Sequence, residues 1–353
     1  MFFIRADGNE MTGAGHIMRC LTIGAELVKL VPKEEVLFLC ADEKSAGLVR
    51  QQEFHAFVLG TDYCDMASEL SALENVFDKS EDLTGKAVST ERDCRPVILV
   101  DSYYVTDEYL KELRRFGVVV LMDDMGKKKY PADAVINYNV TACPEDYRRH
   151  YEGTGTKLLL GSAYVPVREQ FLNRNYQIRE EAKTVLITSG GGDSENIAGR
   201  LLQALFDENM EFHVTAGRFN PHYETLKQLE DRHKNIYLHC NVSDMAGLMA
   251  AADIAVTAGG STIYELASLG VPFICFSCAE NQEPLTEYIH AHNIAGFGGA
   301  FHRDSAAAMT RTSSLFRELI TDADLRRQYH RSEKELADGH GAERLALALT
   351  ELR

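Results

Sequence analysis

Short runs of β-branched and apolar residues alternate along the chain with longer stretches whose apolar positions recur at helical spacing. This is the βαβα pattern of parallel sheets covered by helices. In the first half, strands are predicted at Met1 to Arg5, Val36 to Cys40, Ala56 to Leu59, Val97 to Val100, Val118 to Met122 and Ala134 to Asn137, and an apolar stretch without an assigned element runs from Lys157 to Leu160. Between them, Ile17 to Leu30 carries a broad apolar face (Met18, Leu21, Ile23, Ala25, Leu27, Val28) and predicts a helix. A polar, helix-like stretch from Glu169 to Lys183 follows, and the alternation restarts with strands at Thr184 to Thr188, Glu211 to Thr215, Asn235 to His239, Ile254 to Ala258 and Pro272 to Phe276. The last stretch, Ser313 to Arg353, reads as helix broken at Asp338-Gly-His-Gly341. The expected architecture is α/β, with two doubly wound Rossmann-like domains: residues 1–163, and residues 164–353 including the C-terminal helices. Ligands of such domains sit at the carboxyl ends of strands, so two of them are expected to face a shared cleft.

Composition narrows the partners. A chain of 353 residues with 45% hydrophobic content supplies a core for each of two domains. Its 37 Lys+Arg against 53 Asp+Glu leave a net charge of −16, which repels nucleic acid and anionic membrane surfaces. No apolar run reaches the roughly 20 residues needed to span a bilayer, and Arg5 and Asp7 interrupt the start too early for a signal peptide. A cytoplasmic protein without membrane insertion is expected. Eight scattered cysteines do not make a disulfide scaffold, and Cys275-Phe-Ser-Cys278 ends an apolar run, so these two read as strand residues used as small hydrophobes.

Three strand-to-helix loops carry candidate chemistry. After the first strand, Gly13 and Gly15 allow a tight turn and close approach of a ligand, and His16 stands at the first turn of a helix, where the dipole favours neutral imidazole. That suits a general base, although a plain turn with a polar cap has the same spacing. The full G-x-G-x-x-G is absent, since Met18 takes the last glycine's place. In the second half, Thr188-Ser-Gly-Gly-Gly-Asp-Ser194 offers Gly190 and Gly191 to a phosphate without the lysine of an NTPase loop, while Asp193 and Ser194 read as helix caps. The loop Thr257-Ala-Gly-Gly-Ser-Thr-Ile-Tyr-Glu265 offers Gly259, Gly260, Ser261 and Thr262 to a second phosphate, and Glu265 to a ribose diol; Thr262-x-x-Glu265 also has the form of a capping box. Asp101-Ser-Tyr-Tyr104 and Asp123-Asp124 follow first-half strands, so their carboxylates and phenols are expected in one crevice unless each caps the next helix, and Asn281-Gln282 follows the strand at 272 to 276, read as the last of the second half.

Together these segments resemble the UDP-2,4-diacetamido-2,4,6-trideoxy-β-L-altropyranose hydrolases of pseudaminic acid biosynthesis, often labelled spore coat polysaccharide biosynthesis proteins. The resemblance rests on Arg5-Ala-Asp-Gly-Asn9 through Gly13-x-Gly-His16-x-x-Arg19-Cys20, Asp101-x-Tyr103, Asp123-Asp124, Gly190-Gly-x-Asp193, Ala258-Gly-Gly-Ser-Thr-x-x-Glu265, Asn281-Gln282 and Asp338-Gly-x-Gly-Ala342. The second-half loops are also similar to those of the lipid-linked N-acetylglucosaminyl transferase of peptidoglycan synthesis, which implies a GT-B fold. By resemblance, His16 is the general base and Tyr103 a catalytic or positioning partner. Arg5, Asp7, Asn9, Gly13, Gly15, Asp101, Asn281 and Gln282 are expected around the sugar, and Gly190, Gly191, Gly259, Gly260, Ser261, Thr262 and Glu265 around UDP. The implied reaction is attack of water at the anomeric carbon with inversion and release of UDP, with neither metal nor cofactor. Two alternatives remain open: a UDP-sugar-dependent glycosyltransferase on the same fold, and a nucleotide-sugar binding protein without catalysis. The stretch from Cys64 to Arg95 matches no motif.

Overall fold

All seven strands of the first sheet run parallel, in the order β3-β2-β1-β4-β5-β6-β7, where β1 is Phe2–Ala6, β2 Val36–Cys40, β3 His55–Val58, β4 Val97–Asp101, β5 Val118–Met122, β6 Ala134–Asn137 and β7 Lys157–Leu160. A second, six-stranded parallel sheet is ordered β10-β9-β8-β11-β12-β13, from β8 Thr184–Thr188, β9 Glu211–Ala216, β10 Ile236–Cys240, β11 Ile254–Ala258, β12 Phe273–Ser277 and β13 Gly296–Ala300. The structure is a computed structural model describing residues 1–8, 14–84, 95–172, 174–190, 193–217 and 220–353, with backbone alone over 78–84. Each sheet is the Rossmann-like arrangement expected, with its central strands buried on both faces and reading as near-continuous Val, Ile, Leu and Phe. Among the described residues no helix is long and apolar enough to cross a membrane.

The strand order reverses between β1 and β4, where Ala6 lies opposite Asp101, and again between β8 and β11, where Thr188 lies opposite Thr257. These are the switch points at which a doubly wound sheet presents its loops to a ligand. The strand ends Ala6 and Asp101 therefore lie side by side in the first unit, and Thr188 and Thr257 do so in the second.

Three expectations require correction. The compact units are Met1–Pro166 with His340–Arg353, and Val167–Gly339, so the final helix Gly341–Thr350 belongs to the first unit and not to the second. It packs on the helix Gly15–Leu27 through an apolar face including Leu345 and Leu349, and the tail is tied down by Arg353 to Glu35 and Glu351 to Lys157. Among the described residues of the polar segment 169–183, Glu169–Phe171 makes a short 3₁₀ turn and no α-helix forms. The buried Arg326 guanidinium donates to the carbonyls of Arg179 and Glu180, and Asp253 accepts from Arg179 and from the Lys183 and Thr184 amides, so tertiary partners replace a helical ladder. Finally, β13 (Gly-Phe-Gly-Gly-Ala) follows β12, so the strand before Asn281 is not the last of its sheet. A Cβ at Gly298 would sit 2.2 Å from the Thr312 hydroxyl, so this strand is glycine-rich to let the helix Ser305–Thr321 pack directly on it. Cys275 lies within β12 and Cys278 just beyond; burial raises both thiols, Cys278 to about 12, as befits strand residues.

Candidate functional site

In the first unit the helix Gly15–Leu27 begins at Ala14 with no side-chain cap and no acidic residue in its first turn, and the space beside Gly15 is open. His16 is 7% exposed. Its Nδ1 meets the Asp101 backbone carbonyl at 3.4 Å and lies 3.2 Å from Asp101 Oδ1, both of them acceptors, whereas its buried Nε2 has no hydrogen-bond partner among the described residues. Asp101, at the end of β4 and 1% exposed, receives Arg19 Nε on Oδ2 at 2.6 Å and Arg19 Nη2 on Oδ1 at 2.5 Å, with the Cys20 thiol 3.5 Å from Oδ2. Burial alone would raise the Asp101 carboxyl, but the charge and hydrogen bonds of Arg19, aided by His16 and Cys20, hold it below the usual carboxylate range. An ionised Asp101 can only accept, so in the neutral ring Nδ1 carries the hydrogen and Nε2 keeps its lone pair.

Tyr103 closes one side of this imidazole. Its ring meets His16 edge-on with centroids 4.5 Å apart, its hydroxyl donates to Asp124 Oδ2 at 3.3 Å, and it is 59% exposed. Partial desolvation and the Asp124 carboxylate raise the phenol, so it serves as an O–H donor and an aromatic wall. Neighbouring Asp123 instead folds its own loop, accepting from the Met125 and Gly126 amides and the Tyr147 hydroxyl.

Several residues expected to touch the sugar have other work. Arg5 is fully buried within β1, donating to both oxygens of Glu69 and to Asp7, so no part of it is available to a ligand. Asp7 also accepts from the Ala41 amide at 2.8 Å and does not reach His16; of the two carboxylates able to orient the ring, Asp101 does so. Asp101 is itself too buried to contact a sugar and acts through His16. Asn9 and Gly13 lie outside the described residues. The unmatched stretch from 64 supplies Glu69, the buried partner of Arg5, which also accepts from the Tyr109 hydroxyl at 3.0 Å.

In the second unit the two glycine loops differ. After β8, the Asp193 carboxylate accepts from the Ile197 and Ala198 amides and from Ser189, so an anion already caps the helix Ile197–Leu205, as the capping alternative requires. Gly190, at φ +83°, has open space where a Cβ would stand, and Gly191 lies outside the described residues. After β11, the Gly259 and Gly260 amides already donate to Phe276 and Ala258 carbonyls, which removes them as phosphate donors. Among the described residues the helix Thr262–Leu269 has no side-chain cap, and no backbone carbonyl pairs with the amides of Ser261 or Thr262. A Cβ at Gly259 would lie 2.5 Å from Thr286, so this glycine is needed for packing.

The capping box does not form. Glu265 Oε1 instead accepts from Arg168 Nε at 3.1 Å and Nη2 at 2.8 Å. Burial raises the Glu265 carboxyl and Arg168 pulls it back, with a net upward direction. Of the two amides expected near the sugar, Gln282 accepts from the Cys278 N–H at 2.8 Å through its side chain, while Asn281 is exposed. Sequence reasoning placed Asp124 at a strand end without naming its partners, and assigned no role to Arg19, Tyr138 or Arg168. Arg19 had a usable signal, lying three residues beyond His16 on one helix face; the other three come from loops and strand ends that only folding brings together.

Residues 184–336 match the glycosyltransferase family 28 C-terminal domain. The spore coat polysaccharide biosynthesis protein SpsG of Bacillus subtilis strain 168 is 23% identical over 363 residues, covering 99% of this chain and 97% of its own. The UDP-2,4-diacetamido-2,4,6-trideoxy-β-L-altropyranose hydrolase of Campylobacter jejuni subsp. jejuni serotype O:2 is 23% identical over 290 residues, covering 81% of this chain and 94% of its own. In fold the chain is similar to MurG of Acinetobacter baumannii, with a TM-score of 0.66 at 12% identity and 99% of each chain covered. The two Rossmann-like units are thus those of a GT-B fold.

Proposed function

We propose that this protein hydrolyses a UDP-linked diacetamido-trideoxy sugar at the anomeric carbon, with inversion, releasing UDP and the free sugar. One observation carries the reading: His16 has one ring nitrogen held by a buried, ionised carboxylate and the other buried and unpartnered. Such an imidazole is built to take a proton from a small molecule brought against Nε2. As the water oxygen bonds to the anomeric carbon, its proton passes to Nε2, the bond from that carbon to the diphosphate oxygen breaks, and the electron pair leaves with UDP. Asp101 stabilises the imidazolium that forms. Tyr103 flanks the ring with an exposed aromatic edge and a protonated hydroxyl.

The nucleotide is assigned to the second unit, whose family likeness and relatives support it. The uncapped start of the helix Thr262–Leu269, with the Ser261 and Thr262 amides, favours the developing diphosphate charge. Backbone dipoles in place of lysines let a chain of net charge −16 hold a diphosphate. Glu265, with Oε1 fixed by Arg168, presents its second oxygen to a ribose diol.

The test is a mass-spectrometric screen of UDP-sugars in ¹⁸O-water without any acceptor. Free UDP and a reducing sugar labelled at the anomeric oxygen are expected, and His16→Asn should lower kcat by about 10² to 10⁴ with UDP affinity unchanged. UDP release only on addition of an acceptor would make the protein a glycosyltransferase, and UDP binding without release would make it a binding protein.

A further inference from the structure

Arg19 is the most connected side chain of the first unit's site, and the reaction as written gives it no step. It stands on the helix Gly15–Leu27, three residues beyond His16, and its side chain is about nine-tenths buried. Nε and Nη2 fork onto Asp101 at the end of β4. Nη1 reaches Asp124, beyond β5, at 2.8 and 3.1 Å, and the Tyr138 hydroxyl, beyond β6, at 2.7 Å. One guanidinium thus ties three neighbouring strand ends to the helix that carries His16.

The two carboxylates it binds are the two that define the surroundings of His16. Asp101 meets Nδ1 with its backbone carbonyl at 3.4 Å and its carboxylate at 3.2 Å, so the placement of this residue at the end of β4 sets both acceptors, and Asp124 accepts from the Tyr103 hydroxyl, whose ring packs against the imidazole. The groups facing His16 are therefore Asp101 and Tyr103 from β4 and its loop, Arg19 and Cys20 from its own helix, and Asp124 and Tyr138 behind Arg19. Without the guanidinium, Asp101 would be a buried charge without a cation, and Asp124 would have no anchor from which to hold Tyr103. A lysine supplies the charge but not the planar fork that reaches both acids and the phenol at once.

We infer that Arg19 is a positioning residue that fixes both the tautomer of His16 and the placement of Tyr103 by clamping Asp101 and Asp124 together. It contacts neither water nor sugar, and its effect on rate passes through those two side chains. The kinetic consequence rests on the hydrolase reading; the consequence for the His16 ring does not.

The experiment pairs steady-state hydrolysis with ¹⁵N NMR of the histidine side chains in the full-length protein, the His16 signals being identified as those lost in His16→Asn. In the native protein, His16 should show a protonated Nδ1 and a bare Nε2. Arg19→Lys and Arg19→Gln should both turn this into a mixture of tautomers and lower kcat by about 10²-fold, leaving KM and UDP affinity within about threefold. If Arg19→Gln does not fold, Arg19→Lys and the shape-preserving Asp101→Asn still decide. On the Asp101→Asn background the added loss from Arg19→Lys should be much smaller than in the native protein, because both act through one contact. An unchanged tautomer in Arg19→Lys, with kcat within threefold of native or fully additive losses, would overturn the inference. If no UDP-sugar is hydrolysed by the native protein, the hydrolase reading fails and the NMR result alone decides the role of Arg19.

Discussion

Replacing Arg5 with methionine separates a structural from a ligand-binding role for a fully buried charge of the first unit. The native guanidinium is fully buried, with Nε and Nη2 on the two oxygens of Glu69, which is also fully buried, and Nη1 on Asp7. Burial works against its charge, but Glu69 and Asp7 more than compensate, leaving it more basic than a free arginine. Methionine fills much of the same volume and removes every donor. Glu69 then keeps the Tyr109 hydroxyl and Asp7 the Ala41 amide, neither of which neutralises a charge. Breaking one side of a buried ion pair costs about 3 to 5 kcal/mol. For a unit of roughly 180 residues, each kcal/mol moves the midpoint by about 2 to 4 °C, so calorimetry should show the first unit melting about 6 to 20 °C lower. The double variant Arg5→Met/Glu69→Leu should recover a large part of the loss, since an apolar replacement of the whole pair removes the stranded charge. Among molecules that remain folded, KM for the UDP-sugar should be unchanged. A shift below about 2 °C accompanied by a raised KM would refute this reasoning and restore Arg5 to the ligand.

Glu265→Gln should weaken UDP binding by roughly tenfold in calorimetric titration, the scale of one charge-assisted hydrogen bond, while the melting point holds, because Arg168 stays one-third exposed and no cap is lost; a lower melting point with unchanged affinity would assign Glu265 to structure. Glu333 is fully buried, accepts only the Phe273 amide on Oε1, and has a bare Oε2, and desolvation raises its carboxyl well above the ordinary value. Its folded form therefore binds the proton more tightly than the unfolded chain, so the contribution to stability is fully present below about pH 4.3 and declines as pH rises toward the folded value, by about 1.4 kcal/mol per unit of elevation. Glu333→Gln should accordingly melt at a higher temperature than native at pH 8, with the gain vanishing near pH 4; equal gains at both values would show that the carboxyl is not the cause. EDTA should leave turnover unchanged, because the cation held between Asp101 and Asp124 is the Arg19 guanidinium; activity lost to EDTA and restored by a divalent ion would disprove it.

The alternation of apolar runs with helical spacing identified eleven of the thirteen strands described in the two sheets, because the central strands, buried on both faces, must be almost wholly apolar whatever lies beside them. The strand-end glycines and the position of His16 at a helix start are equally local properties. Where sequence reasoning failed, the deciding partner was remote. The strand Gly296–Ala300 has too few side chains to signal itself and exists because β12 and the helix Ser305–Thr321 accept it. The 169–183 segment is polar enough for a surface helix, but Arg326 and Asp253 offer its backbone better bonds. Arg5 stands in a motif that suggests a ligand, yet Glu69, 64 residues away, takes it into the interior. Thr262-x-x-Glu265 has the letters of a capping box, and Arg168 draws the carboxylate off. The sequence by itself determined most of the strands and where glycine-bearing turns join strand to helix, since both follow from the nearest few residues. Tertiary structure alone decided which charges are spent on one another and which atom remains unsatisfied, because a buried polar group is settled by whichever partner folding brings within hydrogen-bonding distance; of the ring nitrogens of His16, it engaged one and left the other open.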